Sequence, residues 1–202
     1  MATKKPQLPT VVSPKGIAAY CYLGKPDTEG KFADGKYKTN LRLKKGVGEN
    51  EEFFKMICKA HDEAGGPDNL CPVKDGDTEN AKRVKKKKDE RPEWAGHYIA
   101  KFKSKYPPQL LQGKEELPAE KAPFSGDIIR VGFAILPYES GDNQGVALQL
   151  RAVKLLERRA RQDYSGAFGD EDDDEGDDTQ DQESSERKAP AGNSKGKGDG
   201  DF

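Results

Sequence analysis

KYKTNLRL, residues 36–43, places Tyr37, Thr39, Leu41 and Leu43 on one side of an extended chain and Lys36, Lys38, Asn40 and Arg42 on the other. That two-residue alternation is the period of a half-buried β-strand, and a helix cannot produce it. One side suits a core, and the outward side is a row of cations. Upstream, GIAAYCYL (16–23) repeats the period: Ile17, Ala19, Cys21 and Leu23 share one face, while Tyr20 and Tyr22 share the other. The turn-rich GKPDTEGKFADG (24–35) joins the two segments. The first pair of strands therefore offers rings and cations side by side.

Farther along the chain, GHYIAKFKSK (96–105) separates Tyr98, Ala100 and Phe102 from Ile99, Lys101 and Lys103, and the alternation leaves open which face is inward. GDIIRVGFAILPYE (126–139) and GVALQLRAVKLLE (145–157) flank SGDNQ, a short hairpin-like turn. They predict inward sets of Ile129, Val131, Phe133 and Ile135 in one strand and Val146, Leu148, Leu150 and Ala152 in the other. Between the second and third strands, ENEEFFKMICKAHDEAGG (49–66) reads as an amphipathic helix with Asn50 as N-cap and a buried stripe of Phe53, Ile57, Ala60 and Ala64. Residues 65–95 lose periodicity and carry KRVKKKK (82–88), which reads as a mobile basic loop. Residues 106–125 read as another long loop. Five strands and one helical insert, with long loops between them, predict an all-β fold: a five-stranded OB-fold barrel over residues 16–164.

The net charge of −1 conceals a division. Residues 165–202 hold 13 acids and 4 bases, whereas residues 1–164 hold 23 acids and 31 bases. With 11 acids in the 17 positions 170–186, the tail has almost nothing to bury and is expected to stay disordered. Residues 1–15 read as a flexible basic arm. A cationic body with an anionic tail points to a polyanion ligand for which the tail competes at high effective concentration. Phe202 gives that tail an apolar end, and burying a Phe ring is worth roughly 1.5–3 kcal/mol, enough to seat it in the groove or on a partner protein.

The candidate binding set follows from what an unpaired strand exposes. Bases need flat rings to stack on, and phosphates need cations along their path, each base–ring stack contributing about 1–3 kcal/mol. Tyr20, Tyr22, Lys36, Lys38 and Arg42 supply both, with Lys101, Lys103, Lys105 and the basic run of Lys85, Lys86 and Lys87 as further phosphate contacts. The same rings and lysines also suit packing under loops and a solvated edge. Trp94, beside Arg91 and Pro92, reads either as a stacking platform or as a loop anchor. Cys58, His61 and Cys71 lack a convincing fourth metal ligand, with Cys58 expected buried and His61 exposed, so no metal or cofactor is assigned. No phosphate-binding loop or nucleophile motif is present, and the chain reads as non-enzymatic. Three unpaired cysteines fit a reducing cytosol, and the longest apolar runs are too short for a membrane helix.

The blocks AYCYLGKPD…GKYKTNLRL and RVGFAILPYE…GVALQLRAVKLLE, followed by an acidic tail ending DGDF, resemble the replication single-stranded DNA-binding protein of short-tailed lytic bacteriophages. The likeness covers most of residues 16–43 and 126–157 and the terminus; the middle diverges. It implies an OB-fold homodimer in the infected cell's cytoplasm that coats single-stranded DNA, removes secondary structure and promotes annealing in replication, recombination and repair. It also implies that Phe202, with Asp199 and Asp201, binds the phage DNA polymerase and helicase-primase. Tyr138 of LPYE matches a tyrosine implicated in DNA binding, and Tyr37 lies in the matching strand. Asp34 and Gly35 stand where the family has an arginine, leaving Lys36 or Lys31 as substitutes, and Lys4 and Lys5 echo its basic N-terminus. Two alternatives remain: an RNA-binding cold-shock-like OB protein, and an acidic adaptor or DNA-mimic inhibitor whose body binds no nucleic acid.

Overall fold

The computed structural model describes residues 8–30, 33–141 and 143–160. The chain divides between Arg161 and Gln162, and every described residue lies in the first unit. In chain order the strands and helices are β1 (Val11–Val12), β2 (Gly16–Tyr22), β3 (Tyr37–Lys44), α1 (Gly48–Glu63), β4 (Val73–Asp75), α2 (Gly76–Lys85), β5 (His97–Ser104), β6 (Gln109–Gln112), β7 (Glu115–Glu116), β8 (Ile128–Ser140) and β9 (Asn143–Glu157). Among the described residues the protein is mostly β, with nine strands in one sheet and two helices. Five pairings close on themselves: β2 with β3, β3 with β5, β5 with β9, β9 with β8, and β8 with β2. All are antiparallel except β5 with β9.

The strand alternation read from β3 holds: Thr39, Leu41 and Leu43 are buried, and Tyr37 packs against the core. The open question at β5 resolves with Tyr98, Ala100 and Phe102 inward and Lys101 and Lys103 exposed. Ile129, Val131 and Phe133 of β8 are fully buried. Phe133 takes an edge-on contact from Phe53 of α1, with ring centroids 5.9 Å apart, and a tilted one from Phe102 at 5.2 Å.

Two bulges change the expected facing. In β9 the register against β8 steps from Gly132↔Ala152 to Phe133↔Leu150, leaving Arg151 as the extra residue. One added residue reverses the facing of all that follow. Leu148 and Leu150 therefore point inward as expected, but Val153 and Leu155 replace Ala152 there. The displaced Arg151 donates to the Leu8 carbonyl at 2.6 Å and to Thr10 Oγ1 at 2.8 Å, and β1 pairs with β8. The expected loose arm is thus held from Leu8 onward; Lys4 and Lys5 fall outside the described residues. In β2 the register shifts between Ala19 and Tyr22, and Tyr20 adopts φ +52°. Ala18 is inward before the shift and Leu23 after it.

α1 starts earlier than expected, with Val47 at the N-cap; Asn50 is buried inside the first turn and donates to the Lys44 carbonyl at 2.8 Å. Its buried stripe is Asn50, Phe53, Ile57 and His61. His61, expected to be exposed, is fully buried, being four residues on from Ile57 on the same face. The stretch read as a mobile basic loop contains α2, which overturns the expectation of one helical insert. Asp75 Oδ1 caps α2 by accepting from the Asp77 and Thr78 amides at 2.9 and 3.2 Å, with Asp77 and Glu79 in the first turn and Lys82, Arg83 and Lys85 in the last. An Asp75→Ala change should cost about 1 kcal/mol through the lost cap; a lower urea midpoint with unchanged slope would show it. Residues 106–125 likewise contain β6 and β7.

Candidate nucleic-acid interface

The registers of β2, β3 and β5 lay the outward residues in rows. Lys103 sits opposite Lys38, and Lys38 opposite Tyr22; Lys101 sits opposite Asn40, and Asn40 opposite Ala19, next to Tyr20. The face so formed borders a groove of 680 Å³ lined by Lys38, Asn40, Lys74, Lys101, Lys103 and Tyr138, among others. Residues from β3, β4, β5 and β8 thus meet in one place. Ser140 and Asn143, at the base of the β8–β9 turn, also line it, as do Asn69 and Cys71.

The cations of this face are not equivalent. Lys38 is bound by Asp27 and by Asp34, at 3.3 Å to the latter, and its ammonium lies 5.4 Å from the centre of the Tyr22 ring. The hydrogen bond to Asp27 raises its pKa above the ordinary lysine value. Lys101 and Lys103 have no ion pair with any described carboxylate. Desolvation pulls the Lys101 pKa down; Lys74, Arg91 and Lys103 push the same way, against Glu79. A phosphate entering here would relieve that crowding of like charge. Lys74 donates to the Asn69 carbonyl at 3.0 Å and lies 3.9 Å from Glu79.

The remaining sequence candidates scatter. Tyr20 projects outward from the β2 bulge and is 45% exposed. Arg42 donates to the Glu93 carbonyl at 3.2 Å. Tyr37 turns to the core side. Lys36 precedes β3 and Lys105 follows β5, and neither lines the groove. Lys85 ends α2, with Lys86 and Lys87 exposed beyond it. Lys31, Asp199, Asp201 and Phe202 fall outside the described residues. Sequence reasoning missed Lys74, which sits on a three-residue strand too short to show a period, and passed over Asn40 because it bears no charge.

The Cys58, His61 and Cys71 neighbourhood is structural. His61 Nδ1 accepts from the Val146 amide at 3.2 Å and Nε2 faces the Pro67 carbonyl at 3.0 Å, so both ring nitrogens are engaged by backbone. A Cβ at Gly66 or Gly145 would come within 2.3 Å of the ring, and Gly145 has φ +141°. Cys58 and Cys71 sulfurs lie 3.9 Å apart. Among the described residues no cluster of three or more His, Cys, Asp or Glu could hold a metal, and no helix is long and apolar enough to cross a membrane.

The model of a family described as Enterobacter phage Enc34 single-stranded DNA-binding protein matches residues 33–184. Among solved structures, the fold is similar to the single-stranded DNA-binding protein from bacteriophage Enc34 in complex with single-stranded DNA, with TM-score 0.61 and 16% identity over 76% of this chain and 89% of that one. It is also similar to gp2.5, a single-stranded DNA-binding protein encoded by bacteriophage T7, with TM-score 0.54 and 18% identity over 78% of this chain and 95% of that one. No curated protein matches. At such identities the structural likenesses speak for the fold.

Proposed function

We propose that this chain, which belongs to the Enc34 phage single-stranded DNA-binding protein family, coats single-stranded DNA through the β3–β5 face and its groove. The observation that carries the reading is that Lys101 and Lys103, which make no ion pair with a described carboxylate, line a single groove with Asn40 and Tyr138, while Tyr22 sits opposite Lys38 on the adjoining strand. The circuit β2–β3–β5–β9–β8 supports an OB-fold barrel. In that fold oligonucleotides lie across the second and third strands and the loops after the first and fourth. Those strands are β3 and β5 here, and the β8–β9 turn supplies Ser140 and Asn143 to the groove.

In this reading residues 16–164 form the DNA-binding domain, which acts as a homodimer in the infected cell's cytoplasm, removing secondary structure and promoting annealing during replication and recombination. Tyr20, Tyr22, Lys36, Tyr37, Lys38, Arg42, Lys101, Lys103, Lys105, Tyr138 and Lys85–Lys87 make up the DNA-contacting set, led by the groove residues. Residues 165–202, rich in acid by sequence, compete for the groove, and Phe202 with Asp199 and Asp201 hands the tail to the phage DNA polymerase or helicase-primase.

The test is fluorescence anisotropy with a labelled thymidine oligomer, using the full chain and a version ending at residue 164. Tight binding by both, stronger after truncation, is the expected result. Equal affinities would remove the competing tail, and no retention of the oligomer by the truncated protein in dilute buffer would remove the function itself.

A further inference from the structure

α2 and the turn after it build a second cationic, ring-bearing station beside the groove. Asn80 of α2 holds this turn by a reciprocal pair, donating to the Arg91 carbonyl at 2.9 Å and accepting from the Arg91 amide at 3.1 Å. Gly76, the first residue of α2, lets the helix approach so closely that a Cβ there would stand 2.1 Å from the Trp94 carbonyl. Asp77 accepts from the Gly96 amide at 2.9 Å and from Lys45, the residue after β3, at 2.6 Å, tying the same unit to the end of that strand. The segment is therefore positioned before any ligand arrives.

What it positions is a stack. The Arg91 guanidinium lies 4.7 Å from the centre of the Trp94 ring and 5.3 Å from that of Tyr20, and it donates to the Tyr20 hydroxyl. Arg83 sits 5.9 Å from the centre of the Trp94 ring and donates to the Asp89 carbonyl. Neither arginine has an ion pair with a described carboxylate. Tyr20 reaches the stack because the β2 bulge places it at φ +52°, a conformation that a bulky residue adopts at a steric cost. Arg91 is close enough to Lys101 to depress its pKa. Lys101 and the Ala19–Tyr20 bulge are two strand spacings apart, roughly 10 Å, within reach of neighbouring nucleotides of one extended strand.

We infer that Tyr20, Arg91 and Trp94 form a nucleotide-binding subsite that continues the groove, the base lying against the rings and its phosphate meeting Arg91 and Arg83. The inference rests on the DNA-binding reading and adds to Tyr20 a contact surface, Arg91 and Trp94, from the middle of the chain, outside the blocks that carry the sequence resemblance. Guanidinium and aromatic planes are both stacking surfaces for any base, so the subsite would be indifferent to sequence.

Trp94 is the only tryptophan in the chain, so its fluorescence reports this subsite alone. The full-length protein is titrated with a labelled thymidine oligomer and with an abasic oligomer of equal length, following anisotropy and Trp94 emission together. The expected result is quenching that saturates with anisotropy for the thymidine oligomer and is absent for the abasic one. In addition, Tyr20→Ala should weaken thymidine binding about 5- to 150-fold, the equivalent of one base–ring stack, and weaken abasic binding by a smaller factor. Binding without a change in emission, or equal quenching by the abasic oligomer, overturns the subsite and leaves the groove standing. No anisotropy change with either oligomer overturns both.

Discussion

Phe133→Ala should remove a large part of the protein's stability. The ring is fully buried, held between Phe53 from α1 and Phe102 from β5, and its strand pairs with β9 on one edge and with β1 and β2 on the other. Deleting a buried Phe side chain costs about 3–5 kcal/mol, because the cavity forfeits contacts on every side as well as the transfer free energy. Whole domains rest on about 5–15 kcal/mol, so the loss is a large share of the folded state's margin. Urea denaturation followed by circular dichroism measures the loss; a loss below about 1 kcal/mol would mean that Phe133 is not where helix and sheet join. Because Phe53 and Phe102 share this ring, their own alanine variants should be less than additive with it.

That junction also shows what the sequence makes legible. The alternations at 36–43 and 126–135 identify β3 and the first half of β8 together with their inward residues, since period 2 is a property of the strand alone. The facing beyond Leu150 and around Tyr20 is not legible, because each bulge is one unpaired residue whose position depends on the partner strand. α2 is hidden for another reason. Its buried residues are Gly76 and Asn80, so it has no apolar stripe to read; it is held by its Asp75 cap and by the Asn80–Arg91 hydrogen bonds. Likewise the cationic face was visible as residue types, but not that Asp27, eleven positions away in a turn-rich segment, would engage Lys38. Sequence shows which residues carry charge; only the fold shows which charges remain uncommitted.

That distinction yields the second large effect. Replacing Lys101 and Lys103 together by Gln should lower the slope of log affinity against log salt by about 1.4, since each phosphate neutralised on a single strand contributes about 0.7. Counterion release of that size corresponds to about 60-fold weaker binding near 50 mM salt and about 14-fold near 150 mM. Lys38→Gln should do much less, because its charge is already engaged by Asp27 and Asp34 and a phosphate would have to compete with both. As a control for net charge, Lys114 and Lys121 changed together to Gln should leave the slope unaltered, for neither lines the groove. Titrations of a labelled thymidine oligomer at several salt concentrations separate these variants. If the Lys101/Lys103 pair and the Lys114/Lys121 pair moved the slope equally, binding would depend on overall charge and the groove would have no special claim on the strand. A fall confined to the first pair would place at least two phosphates over β5.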